Sequence, residues 1–116
     1  MDTSHRDSNR LPVLSRDEFY LLYEKPRVCR VREVRIKSGL TQFDFSLSLG
    51  LARTTIARIE RGAMPAYYQI LLLINYFYGI SLSWLLHGTG VYYGERVTDL
   101  QSIIENIKSC KLRFMK

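Results

Sequence analysis

The chain has 116 residues, 47% of them apolar and 24% charged, which leaves room for one domain with an ordinary core and excludes a large multidomain enzyme, a disordered chain and a coiled-coil rod. The formal net charge is +6, and residues 25–62 account for it with nine basic against three acidic side chains; residues 63–94 carry none of either and residues 1–24 are acidic on balance. A basic block beside an uncharged one suits a polyanion-binding surface mounted on an apolar support.

Residues 1–14 are polar and without period as far as Leu11-Pro12-Val13-Leu14, and read as a flexible arm with no secretory signal, so a cytoplasmic location is expected. Ser15-Arg16-Asp17-Glu18 is a capping box that opens a short helix through Glu24, with Phe19, Leu22 and Tyr23 on one apolar face. Pro26 is expected to end it, because the residue before a proline is pushed out of the helical region. A second helix then joins Val28, Val31 and Val34 to Arg30, Arg32, Arg35 and Lys37, and stops at Gly39. Thr41 caps the next, which reaches Gly50; a further helix covers about Ala52 to Arg61.

From Tyr67 to Leu86 no residue carries a formal charge, a length that meets the criterion for a membrane span. Gln69, Asn75, Gly79, Ser81 and Ser83 interrupt it, however, and tyrosines lie all along it rather than at its ends. Two short buried helices are the better reading, one opened by Pro65 and running to Tyr78, the other capped by Ser81 and ending near His87-Gly88, with no membrane segment. Residues 91–97 have no readable structure. Thr98 is expected to cap a last helix with an apolar stripe of Leu100, Ile103, Ile104 and Ile107. Cys29 and Cys110 are far apart and belong to no ligand cluster, so they are read as ordinary thiols, with no metal or other cofactor implied.

Two short helices joined at a glycine define a helix-turn-helix, and a window that starts at Gln42 meets its demands. Its fifth place must be small and is Ser46; its ninth must tolerate the turn and is Gly50; its fifteenth and eighteenth must be apolar anchors and are Ile56 and Ile59. Phe45 and Leu49 supply apolar partners beneath.

From Val28 to Gly90 the sequence resembles the lambdoid phage repressor and Cro type of helix-turn-helix domain, the XRE-like family. The resemblance rests on the approach from Arg35 to Gln42, on Ile56-Ala57-Arg58-Ile59-Glu60-Arg61-Gly62, and on Ile80-Ser81-Leu82-Ser83-Trp84-Leu85-Leu86-His87-Gly88. It implies an all-α, compact five-helix domain, here with an extra short N-terminal helix and a C-terminal amphipathic helix. The expected division is an arm at 1–14, the DNA-binding domain at 15–90 and an extension at 91–116. It also implies that Arg53, Thr54 and Arg58, with Thr55 at the edge of the set, read bases. Gln42 would hold a phosphate, with Thr41 and Arg61 as further phosphate contacts, and Arg35 and Glu60 would form an internal ion pair. Arginines can donate two bonds to guanine O6 and N7, so a half-site containing guanine is expected. Lys25, Arg27, Arg30, Arg32 and Lys37 remain as phosphate contacts or plain surface.

There are departures from the family pattern. Ala52 stands where a capping serine or threonine is usual, and Phe43 and Leu47 stand where polar residues are usual. Either the N-terminal helix or the C-terminal stripe covers the latter two, or they are scattered surface residues without a partner.

The function expected is a transcriptional regulator, a repressor of phage, mobile-element or toxin–antitoxin type that binds a double-stranded operator as a homodimer. Its dimer would use Leu100, Ile103, Ile104, Ile107, Tyr76 or Tyr78. The alternative is a module of the same fold that binds a protein, such as a toxin or an anti-repressor, through its exposed apolar residues. No catalytic function is expected, since His5 and His87 accompany neither a nucleophile nor paired carboxylates.

Overall fold

The computed structural model describes residues 13–97 and 99–110, with the side chains of Leu100, Asn106, Ile107, Ser109 and Cys110 excepted. Most of the expected arm, the cap expected at Thr98, and the side chains of Leu100 and Ile107 in the expected stripe therefore lie outside the described residues.

The chain is all-α in its regular elements. Helix α1 (Arg16–Phe19) opens on the expected capping box: Ser15 N–H donates to Glu18 Oε1 at 2.9 Å and Glu18 N–H to Ser15 Oγ at 3.1 Å. The bond from the Ser15 backbone first, and then the nearby Ser15 hydroxyl, hold the Glu18 carboxyl below its ordinary range. Pro26 does not end the helix, contrary to expectation. A π-helical turn at Tyr20–Glu24 runs straight into α2 (Lys25–Lys37), with Pro26 in its first turn. In a regular α-helix the proline ring would strike the carbonyl four residues back. The wider turn, in which Lys25 N–H reaches back to Tyr20 O, relieves that clash.

Val28, Val31 and Val34 form the buried stripe of α2. Thr41 Oγ1 accepts from Asp44 N–H at 3.0 Å and so caps α3 (Gln42–Ser48). Gly50, at φ +77°, makes the left-handed turn to the next helix. That helix, α4 (Thr55–Glu60), starts three residues later than Ala52, because Thr55 N–H bonds to Ala52 O and closes a separate turn at Arg53-Thr54. Helix α5 (Tyr68–Tyr78) begins three residues after Pro65; Tyr67 is extended, and Ala66 N–H donates to Glu24 Oε1 at 3.4 Å. Ser81 caps α6 (Leu82–His87), as expected. The uncharged stretch thus divides at left-handed Gly79, and among the described residues no helix is long and apolar enough to cross a membrane.

The core gathers Val31, Val34, Phe45, Leu51, Ile56, Ile59, Ile70, Leu71, Ile74 and Leu85, all essentially without exposure. Helix α2 packs on both α4 and α6, so it braces the second motif helix from behind and joins it to α6. After α6 the chain returns along Gly79–Ser81. Ile80 and Tyr93 form an antiparallel bridge, Ser81 N–H donates to Tyr92 O at 2.8 Å, and Gly94 N–H to Gly79 O at 2.9 Å. A Cβ at Gly94 would lie 2.9 Å from Ser81 Cα, closer than side-chain carbons approach backbone. Gly94→Ala is expected to lower stability by about 1–3 kcal/mol through overpacking; chemical denaturation with an unchanged midpoint would show that the two strands part without cost.

Helix α7 (Leu100–Cys110) is capped by Asp99, whose Oδ1 accepts from Ser102 N–H at 2.7 Å. It packs against α5 of its own chain, where Ile103 is fully buried. The stripe is a candidate dimer surface or cover for Phe43 and Leu47 in the sequence reading; at Ile103 it instead closes on α5 of its own chain. Cys29 is an exposed free thiol.

Candidate nucleic-acid interface

The geometry of the two motif helices begins at Ser46. It is fully buried between them, its Oγ donates to Gln42 O at 2.9 Å, and it accepts from Ile56 N–H at 3.0 Å. Ile56 N–H is one of the amides that a helix N-terminus leaves without an internal partner. Ser46 therefore supplies from the preceding helix an acceptor for the first turn of α4, whose N-cap residue, Thr54, makes no side-chain cap bond of its own. The sequence motif asks only for a small residue here, so the hydroxyl's role is visible only once the helices are docked.

With Ile56 and Ile59 fully buried, the opposite side of α4 and its leading turn presents Arg53, Thr54 and Arg58, all exposed. Among the described residues neither arginine has a hydrogen-bonding or carboxylate partner, so both keep their donors available. Thr55 does not belong with them. It is 1% exposed and faces the interior, because the turn at 53–54 rotates it toward the core side of the helix.

Glu60 closes the other end of α4. Its carboxylate, 5% exposed, accepts from Arg35 Nε at 2.6 Å and Arg35 Nη2 at 3.0 Å, and from Gln42 Nε2 at 2.9 Å. Arg35 also donates to Leu40 O at 3.0 Å, while Arg32 approaches Glu60 from solvent at 3.7 Å. The ion pair expected between Arg35 and Glu60 is thus present, two-pronged and mostly buried. One cluster ties α2, the start of α3 and the end of α4 together. Gln42 is part of it and has its second amide N–H left for an outside acceptor. Arg61 is exposed at the end of α4, beside Arg16 and Tyr20 of the N-terminal helical stretch.

Two further cations of the basic block have partners within the chain. Arg30 donates from Nε to Leu85 O and from Nη2 to Leu86 O, both at 2.9 Å, and so satisfies terminal carbonyls of α6. Burial, and then the charge of Arg27, holds its guanidinium below the ordinary arginine range. Lys37 pairs with Glu33 at 3.0 Å and lies 4.2 Å over the Tyr92 ring. No periodic pattern marks Arg30 for this role, since its partners are backbone atoms far along the chain.

Phe43 is 44% exposed; neither extra helix buries it, and its ring instead carries the Arg53 guanidinium at 5.3 Å. Leu47 is half-buried. Tyr78, expected at a dimer surface, packs on Phe45 with ring centroids 5.2 Å apart and shares a hydrogen bond with Ser48. Tyr76 is half-buried beneath Arg96, which also bonds to its carbonyl. Ile104 is half-buried.

A small-residue contact, a left-handed glycine turn, apolar anchors and an exposed polar flank define a helix-turn-helix protein of the DNA-binding class. A family model described as a helix-turn-helix domain matches residues 29–91, more than half of the chain, and the chain belongs to this XRE-like helix-turn-helix family, whose members are typically non-enzymatic. Comparison with curated proteins and with solved structures finds no significant match.

Proposed function

We propose that the chain is a sequence-specific regulator of transcription, a repressor of phage, mobile-element or toxin–antitoxin type, that occupies a pseudo-palindromic operator as a homodimer. The observation that carries this reading is the joint exposure of Arg53, Thr54 and Arg58 on a helix whose other side is anchored by Ile56 and Ile59. That face enters the major groove, where the two arginines read guanine edges. Thr41, Arg61 and the free amide proton of Gln42 bond phosphates on either side. One domain makes few base contacts, so specificity requires two copies, with half-sites about 10 base pairs or a multiple apart. Ile103 and Tyr78 pack within their own chain, so the dimer would draw on the other residues named for it, Leu100, Ile104, Ile107 and Tyr76.

Selection on randomised duplex DNA at fixed salt tests the proposal. Arg53→Ala and Arg58→Ala are each expected to relax preference at one guanine by roughly 1–3 kcal/mol, without loss of folding. Selection that recovers no preferred sequence would remove it. Sedimentation showing a monomer at tens of micromolar, both free and on operator DNA, would remove the dimer.

The second reading, a module that binds a protein, is favoured by Phe19, Leu21, Leu22 and Tyr23, each half or more exposed on the N-terminal helical stretch. Salt separates the two. Binding through several phosphates weakens about a thousandfold or more between 50 and 200 mM salt, whereas an apolar protein contact holds.

A further inference from the structure

Phe43 occupies a place where burial does not explain a large aromatic side chain. It lies in the first turn of α3, remains 44% exposed, and meets the reading surface at Arg53, whose guanidinium carbon is 5.3 Å from the ring centroid. We infer that Phe43 is a positioning residue for base recognition: its ring holds the guanidinium of Arg53 in place before DNA arrives. The inference rests on the proposed reading of bases by Arg53.

The chemistry follows from the shape of the guanidinium. A ring attracts the cation through its π face without using any N–H as a hydrogen-bond donor, so the donors stay free. Those donors are the ones that pair with guanine O6 and N7. An arginine on an exposed turn otherwise samples many rotamers, and the loss of that freedom on binding weakens affinity and blurs discrimination between bases. Arg53 stands in such a turn, outside the regular part of α4, where the helix backbone does not restrict it. Arg58, one turn into the helix, has no aromatic neighbour of this kind among the described residues and relies on the helix for its position.

The test compares base preference at the guanine assigned to Arg53, by competition with duplexes substituted at that position, for the wild type, Phe43→Ala, Phe43→Leu, Phe43→Tyr, Arg53→Ala and the Phe43→Ala/Arg53→Ala double variant. Phe43→Ala and Phe43→Leu should each lose about three- to fivefold of discrimination at that guanine, with preference at the Arg58 position and the salt dependence of binding unchanged. Phe43→Tyr should restore it, because a phenol ring offers the same face. In the Arg53→Ala background the Phe43 substitution should add nothing. A ring that merely supported folding would change the melting temperature and affinity at all positions alike, with no selective loss, and that outcome overturns the inference. So does full discrimination in Phe43→Ala while Arg53→Ala loses it, a result that leaves base reading by Arg53 intact. A wild type with no base preference overturns the reading and the inference together.

Discussion

Arg35→Ala is expected to lower unfolding free energy by about 3 kcal/mol, because it leaves the Glu60 carboxylate buried without its two-pronged partner. In a domain of this size that corresponds to a drop in melting temperature of roughly 10–20 °C. Gln42 and the exposed Arg32 remain near Glu60 and offset part of the loss, so the variant should still fold at low temperature. Arg35→Lys keeps the charge but not the paired geometry, and should fall between the two. Added salt should leave the difference in melting temperature between the wild type and Arg35→Ala little changed, since ions screen a buried pair poorly. An Arg35→Ala protein that melts with the wild type would show that the pair contributes nothing net. The consequence reaches binding, because the same carboxylate holds Gln42 at the head of α3 and the end of α4 against α2. Loosening it should weaken DNA binding at all sequences alike.

The second large effect is expected at Asn75. It is fully buried, and its side chain bonds both the turn after α5 and the returning chain: Nδ2 donates to Ile80 O at 2.8 Å and Glu95 O at 3.0 Å, and Oδ1 accepts from Val97 N–H at 3.0 Å. Asn75→Ala strands these backbone groups and should lower stability by about 3 kcal/mol. Asn75→Leu restores volume but none of the bonds, and should be equally destabilised if the loss is polar. Hydrogen exchange should show Val97 N–H unprotected and α7 opening more often, with the motif helices protected as before. If both variants match the wild type in stability and in protection of α7, the asparagine does not fasten the C-terminal extension.

Asn75 also marks where sequence reading stops. In the linear chain it is a polar interruption of an apolar run, useful for rejecting a membrane span. Nothing in its neighbours says that it bonds a segment about 20 residues further on. The same holds for residues 91–97, which have no period because their order comes from pairing with Gly79–Ser81. Pro26 misleads for a related reason. The rule that proline ends a helix is local, and here a wider turn just before it accommodates the ring. The apolar stripe of the last helix was legible as a stripe, but the nearest apolar face, which decides where it docks, belongs to α5 of the same chain.

The sequence by itself determined the all-α class, the capping box at Ser15, the caps at Thr41 and Ser81, the turn at Gly50, and the anchoring of α4 by Ile56 and Ile59. These are effects between residues a few places apart, where side-chain chemistry and helical period suffice. The tertiary structure decided what becomes of the basic block. Arg35 is joined to a carboxylate 25 residues away and Arg30 to carbonyls 55 and 56 residues away, while Arg53 is held over Phe43 and Arg58 is left to solvent. A charge can be counted in one dimension, but whether it is neutralised, buried or free depends on atoms that only folding brings within hydrogen-bonding reach.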